Sequence, residues 1–180
     1  MIVLQDDCLE CHFSAAAITP ANAEDTLRTV GTRYHEWLSE IEARDVDGAV
    51  IRTRPNPKTW SPLEYAAHMR DVIALWGWAL HKTLTEDQPS LPRPDPDLPD
   101  RAASESAYNS QDPSTVTREL SENAERMARK ITTIAPEQWH RFSLFGEMRV
   151  TALDIVRKVA HEAHHHLLDI ERSSRGVGTE

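Results

Sequence analysis

Long apolar runs are missing from this chain of 180 residues. A helix that spans a bilayer needs about 18 or more apolar residues in succession, and no stretch approaches that length, so a helical membrane protein is excluded. The start, Met1-Ile2-Val3-Leu4-Gln5-Asp6-Asp7, has neither the basic flank nor the apolar centre of an export signal, and a cytoplasmic protein is expected. Excess positive charge is missing as well. Lys and Arg number 20 against 29 Asp and Glu, and the net charge of −9 opposes a phosphate backbone. With no basic stripe interleaved with aromatics to overcome that repulsion, neither nucleic acid nor a membrane is an expected partner. Internal repeats are absent too.

What is present suits one domain, since a hydrophobic content of 39% supplies a modest core. Leu27, Val30, Tyr34, Trp37, Leu38 and Ile41 recur at intervals of three and four and predict a helix from about Ala23 to Ala43. Ser61-Pro62-Leu63-Glu64 combines an N-cap serine, a proline at the first helical position and a glutamate at the capping-box position, so a second helix starts there and ends near Leu84. The segment Gln88 to Pro99 holds five prolines and reads as a long connection without regular helix. Asp112-Pro113 restarts a helix that continues to about Thr133, and the last helix runs from Thr151 to about Arg172. Pro136 to Val150 reads as irregular, with a small extended piece at Phe142 to Gly146. Four helices with no strand series make an all-α four-helix bundle the expected fold, with the proline-rich connection between helices two and three. The expected organisation is an N-terminal Cys-containing segment 1–22, a bundle 23–172 and a flexible tail 173–180.

The chemistry is concentrated in His161-Glu162-Ala163-His164-His165-His166. His161 and His165 are four apart on a helix, so their imidazoles share one face. The run also contains His-Glu-x-x-His, the letters of zinc metalloproteases. Those enzymes need a third ligand further downstream, and only 14 residues follow His166, which makes an HExxH metallohydrolase the weaker alternative. A bundle builds metal sites from facing helices, and helix two supplies His68, which shares a face with Glu64 and Asp71. Two ligands at i and i+4 plus one from another helix leave a coordination position open, as catalytic zinc sites do. His164 is read as a pocket-edge or supporting group and His166 as structural, while Glu162 points off the ligand face as a surface carboxylate. Asp71 and Asp169 are candidates to orient ligand imidazoles through their free N–H groups. Trp76, Trp78 and Met69 read as core packing.

Cys8-Leu9-Glu10-Cys11-His12 is the second local signal. Its letters match covalent haem attachment, which the absence of an export signal argues against. A half zinc site, completed by His12 or a distant side chain, would pin the N-terminal segment onto the bundle, but no second Cys pair exists. A redox pair lacks its βαβ surroundings, and two reduced cysteines are the expected state.

The stretches Trp60-Ser61-Pro62-Leu63-Glu64-Tyr65-Ala66-Ala67-His68-Met69-Arg70-Asp71-Val72 and His161 to Asp169 resemble the DinB/YfiT-like superfamily, which includes the metal-binding domain of mycothiol-dependent maleylpyruvate isomerases and the bacillithiol transferases. The resemblance covers nearly the whole chain. It implies a four-helix bundle holding a divalent metal, zinc or nickel, on His68, His161 and His165. It also implies, for the branch that opens with Cys-x-x-Cys and looks actinobacterial, mycothiol as the thiol co-substrate. The implied activity is transfer of a small-molecule thiol to an electrophile, or an isomerisation. The alternative is a non-catalytic metal-binding or stress-response module that pairs as a homodimer.

Overall fold

The computed structural model describes residues 7–45, 49–92 and 98–176. Five α-helices lie among them: α1 (Ala23–Arg44), α2 (Pro62–Thr85), a short α3 (Leu98–Glu105), α4 (Pro113–Ile131) and α5 (Ala152–Gly176). The four long ones form the expected bundle, in which α1 packs mainly on α4, and α2 packs on both α4 and α5. The stripe on α1 is buried at Leu27, Val30, Tyr34, Leu38 and Ile41, so the period of 3.6 found the core face. Gly31 lets α1 and α4 approach closely, because a Cβ there would lie 2.9 Å from Ser121 Cα. The Tyr34 hydroxyl crosses the core and donates to the Ala163 carbonyl at 3.1 Å, tying α1 to the histidine-bearing helix.

Local capping explains where the helices begin. Ser61 Oγ accepts the Glu64 N–H at 3.3 Å and Glu64 Oε2 accepts the Ser61 N–H at 2.9 Å, a complete capping box. Asp112 accepts the Thr115 N–H at the head of α4 at 2.8 Å, and Thr151 and Asp154 exchange bonds at the head of α5. The last helix continues through buried Ser173 to Gly176 and does not stop at Arg172.

The extended piece expected at Phe142 to Gly146 is β2 (Phe142–Phe145); beyond expectation, it forms a hairpin with β3 (Met148–Thr151) through a two-residue turn with Gly146 at φ 65°. The proline-rich connection supplies β1 (Ser90–Leu91), which pairs parallel to β2, with Ser90 opposite Leu144 and Leu91 opposite Phe145. That pairing joins residues more than fifty positions apart, which local periodicity cannot report. The sheet buries Leu91, Phe145 and Val150 and is tied to α2 by a 2.5 Å contact between Ser143 and Thr83 hydroxyls. Trp76 and Met69 are core residues as expected, whereas Trp78 is 43% exposed. Residues 93–97 of the connection, 177–180 of the tail and 1–6 of the start lie outside the described residues. No described helix is long and apolar enough to cross a membrane.

Candidate metal centre

Successive residues of a helix are about 100° apart, so the histidine run presents two i, i+4 pairs in different directions. One pair, Glu162 and His166, faces α2. Their ligand atoms and that of His68 lie within 4.8 Å of one another. The His68 ring meets His166 edge-on at 5.1 Å between centroids and Trp60 at 5.2 Å, and Tyr65 covers the other side of His166 at 5.3 Å. His166 Nδ1 donates to Asp169 Oδ2 at 3.0 Å, which leaves Nε2 directed at Glu162 Oε2, 3.5 Å away. Lys158 Nζ sits 2.5 Å from the other Glu162 oxygen.

The charges in this group follow from that geometry. Burial pushes His68 down to about 4, with the neighbouring His166 adding to the effect, so His68 is neutral with a free lone pair. Burial also disfavours charge on His166, but its bonds to Asp169 and Glu162 outweigh burial and raise its pKa. Glu162 is likewise opposed by burial, yet the His166 bond and the Lys158 charge hold its carboxyl far below the usual range. Asp169 is lowered against burial by the same imidazole.

The other pair, His161 and His165, faces the N-terminal segment, where Cys8 and Cys11 complete a group whose four ligand atoms all lie within 4.8 Å of one another. Both cysteines are buried and free. Cys8 Sγ is 3.7 Å from His165 Nδ1. The backbone N–H of Cys11 is the main cause that brings the Cys8 thiol down to about 7, while burial raises that of Cys11. His161 Nε2 is buried and has no hydrogen-bond partner, an arrangement that a bound cation would satisfy.

A groove of about 600 Å³ opens elsewhere, between α2 and α4, lined by Ile73, Gly77, Trp78, Met127 and Lys130 among others. It shares no residue with either histidine group. The candidate metal-ligand groups lie on α5, where it meets α2 and the N-terminal segment, and not in this groove.

The family model of the DinB superfamily matches residues 19–170. The chain belongs to the DinB superfamily. Among solved structures, YfiT from Bacillus subtilis, described as "a probable metal-dependent hydrolase with an unusual four-helix bundle topology", is similar to this DinB chain with a TM-score of 0.75. The two are 17% identical over 89% of each chain, which establishes the fold. A search of curated proteins found no match.

In this DinB chain the three histidines expected as one ligand set fall into two groups: His68 stands with Glu162 and His166, and His161 and His165 stand with the cysteines. Glu64 is used up by the capping box and by Arg54, whose Nε donates to Oε2 at 2.8 Å. Asp71 accepts the Tyr108 hydroxyl at 2.5 Å and Arg70 Nε at 2.8 Å, with no hydrogen bond to His68. Asp169 does orient an imidazole, that of His166. His164 bonds the Cys11 carbonyl at 3.1 Å. Glu162, read from the sequence as a surface carboxylate, and His166, read as structural, join a candidate ligand group. Their i, i+4 spacing is the same as that of His161 and His165, and it was the available signal.

Proposed function

We propose that this DinB protein is a metal-dependent enzyme that delivers a low-molecular-weight thiol, of the mycothiol type, to a small electrophile, with His68, Glu162 and His166 holding the metal. The observation that carries this reading is the convergence of two imidazoles and a carboxylate from α2 and α5. A neutral imidazole, a second one backed by a carboxylate and an ionised Glu are a donor set suited to zinc or nickel. Three such ligands leave a position open. A divalent metal there supplies the positive charge that makes a bound thiol or water lose its proton near neutral pH.

The chain's own residues have definite tasks in this scheme. Asp169 holds the proton of His166 on Nδ1 and so aims Nε2 into the site. Lys158 offsets the Glu162 charge. Trp60 packs against the His68 ring and Tyr65 against that of His166, which helps to hold both imidazoles in place.

A second reading, hydrolysis with water in place of the thiol, draws on the description of YfiT as a probable metal-dependent hydrolase. Glu162, paired with Lys158 and His166, is not a free general base of the HExxH kind. The test is to load untagged protein with zinc or nickel and follow thiol consumption with a chromogenic electrophile, alongside ester and amide hydrolysis. Metal-dependent conjugation that disappears in His68→Ala and Glu162→Gln is the expected result. Metal-dependent hydrolysis without thiol consumption selects the second reading. Stoichiometric metal with neither activity makes the protein a binding module.

A further inference from the structure

Residues 7–18 are folded onto α5 by a specific turn. Asp7 and Ser14 form an antiparallel bridge, the Cys8 N–H donates to Phe13 O at 2.9 Å, and the His12 N–H donates to Cys8 O at 2.8 Å. His12 takes φ 57°, a left-handed conformation that turns the chain immediately after Cys11. Both thiols then lie buried against α5, 8% and 4% exposed. They meet the face of the helix that carries His161 and His165.

We infer that Cys8, Cys11, His161 and His165 form a closed tetrahedral site for zinc, separate from the His68 group, which clamps the N-terminal segment onto α5. The ligand spacing is Cys-x-x-Cys and His-x-x-x-His, within the range of Cys2His2 zinc sites. Zinc bonds of about 2.3 Å to sulfur and about 2.0 Å to nitrogen in a tetrahedron place ligand atoms roughly 3.3–3.8 Å apart. The Cys8 Sγ to His165 Nδ1 distance of 3.7 Å falls in that range before any metal is added. His161 Nε2 is a buried polar atom with no hydrogen-bond partner, and as an unprotonated imidazole nitrogen it can serve as a zinc ligand.

The surroundings match those of a metal-bound imidazole pair. His165 turns Nδ1 to the sulfur, while its Nε2 faces two carboxylates, Glu10 Oε2 at 3.5 Å and Asp169 Oδ2 at 3.6 Å. Phe13 stacks on the His161 ring at 5.3 Å and fixes its plane. On binding, the two thiol protons leave to solvent and the two thiolate charges neutralise the cation. Four protein ligands leave no open position, so the role is structural. The clamp also holds the rotation of α5 that turns Glu162 and His166 towards His68. The DinB match begins at residue 19, so the cysteines lie outside it and the clamp is an addition to the bundle.

The test uses the whole chain, untagged and reduced under anaerobic conditions. Cobalt(II) in the stripped protein is expected to give thiolate-to-cobalt charge transfer in the near ultraviolet and the intense visible bands of a tetrahedral ion, and zinc should displace it. These bands should persist in His68→Ala and vanish in Cys8→Ser and His161→Ala. In the unaltered protein, free zinc at about 100 times its Kd should slow reaction of both thiols with a thiol reagent about 100-fold. Cobalt bound without charge transfer, bands lost in His68→Ala, or thiols that react equally fast with and without zinc would each overturn the proposal. The thiol measurement needs no variant, so a misfolded substitution leaves it intact. Failure of the thiol-transfer activity would leave all these signals in place.

Discussion

Replacing Glu64 by glutamine separates the structural reading of that residue from a role near the metal. Its carboxylate accepts the Ser61 N–H at 2.9 Å and Arg54 Nε at 2.8 Å on one oxygen, and Arg54 Nη2 at 2.5 Å on the other. Glutamine has one acceptor oxygen, so if that oxygen keeps the first two bonds, its NH2 group confronts Arg54 Nη2, donor against donor. A charge-assisted hydrogen bond contributes about 1.5–3 kcal/mol, and the Arg54 side chain, 39% exposed, can turn to water, which places the loss in the lower half of that range. The expected cost is roughly 2 kcal/mol, or about 4–8 °C in Tm for a chain of this size. Burial opposes ionisation of Glu64, but the Arg54 bond outweighs it and lowers the pKa below the ordinary 4.5. The stability difference between wild type and Glu64→Gln should therefore be complete above about pH 4.5 and fade as pH falls through the lower folded value. Urea denaturation of stripped protein at several pH values measures this, and a chelator competition measures metal affinity. An unchanged Tm, or metal affinity that collapses while stability is preserved, would refute the reasoning.

Asp169→Asn should weaken metal binding at the His68 group by about 10–100-fold with little change in circular dichroism, because the carboxylate aims His166; equal affinity in chelator competition would count against that role. Gly31→Ala should cost about 1–3 kcal/mol in denaturant unfolding, since the new Cβ would stand 2.9 Å from the Ser121 backbone. A neutral result would show that α1 and α4 can move apart freely. Tyr34→Phe removes a hydrogen bond to a carbonyl inside α5 and should cost only about 0.5–1.5 kcal/mol by the same assay, with a larger loss pointing to disturbed packing. Stripping metal should lower Tm reversibly: zinc restored to about 100 times its Kd adds about 2.7 kcal/mol, and a Tm insensitive to zinc would contradict a site that binds the folded state.

The helices were legible because their causes are local. Ser61 and Glu64 are three residues apart, Asp112 and Thr115 likewise, and the α1 stripe repeats within a turn, so propensity, capping and period all sit in short windows. The histidine run was legible as a set of candidate metal ligands for the same reason. The extended piece of β2 was legible, but β1 and its pairing with β2 were not, because the two segments are joined only in space and two residues of strand leave no period to read.

The sequence by itself determined the bundle, the helix starts and the kinds of donor available on α5, since composition and spacing along a helix follow from covalent order and 3.6 residues per turn. Which i, i+4 pair faces which partner is a matter of about 100° of helix rotation, and that is set by packing of Tyr34, the core stripe and the N-terminal turn against α5. Only the tertiary structure brings Cys8 to His165 across 157 positions of sequence and hands Glu162 and His166 to His68. Distances of that kind depend on contacts among all the helices at once, and no window of the chain contains them.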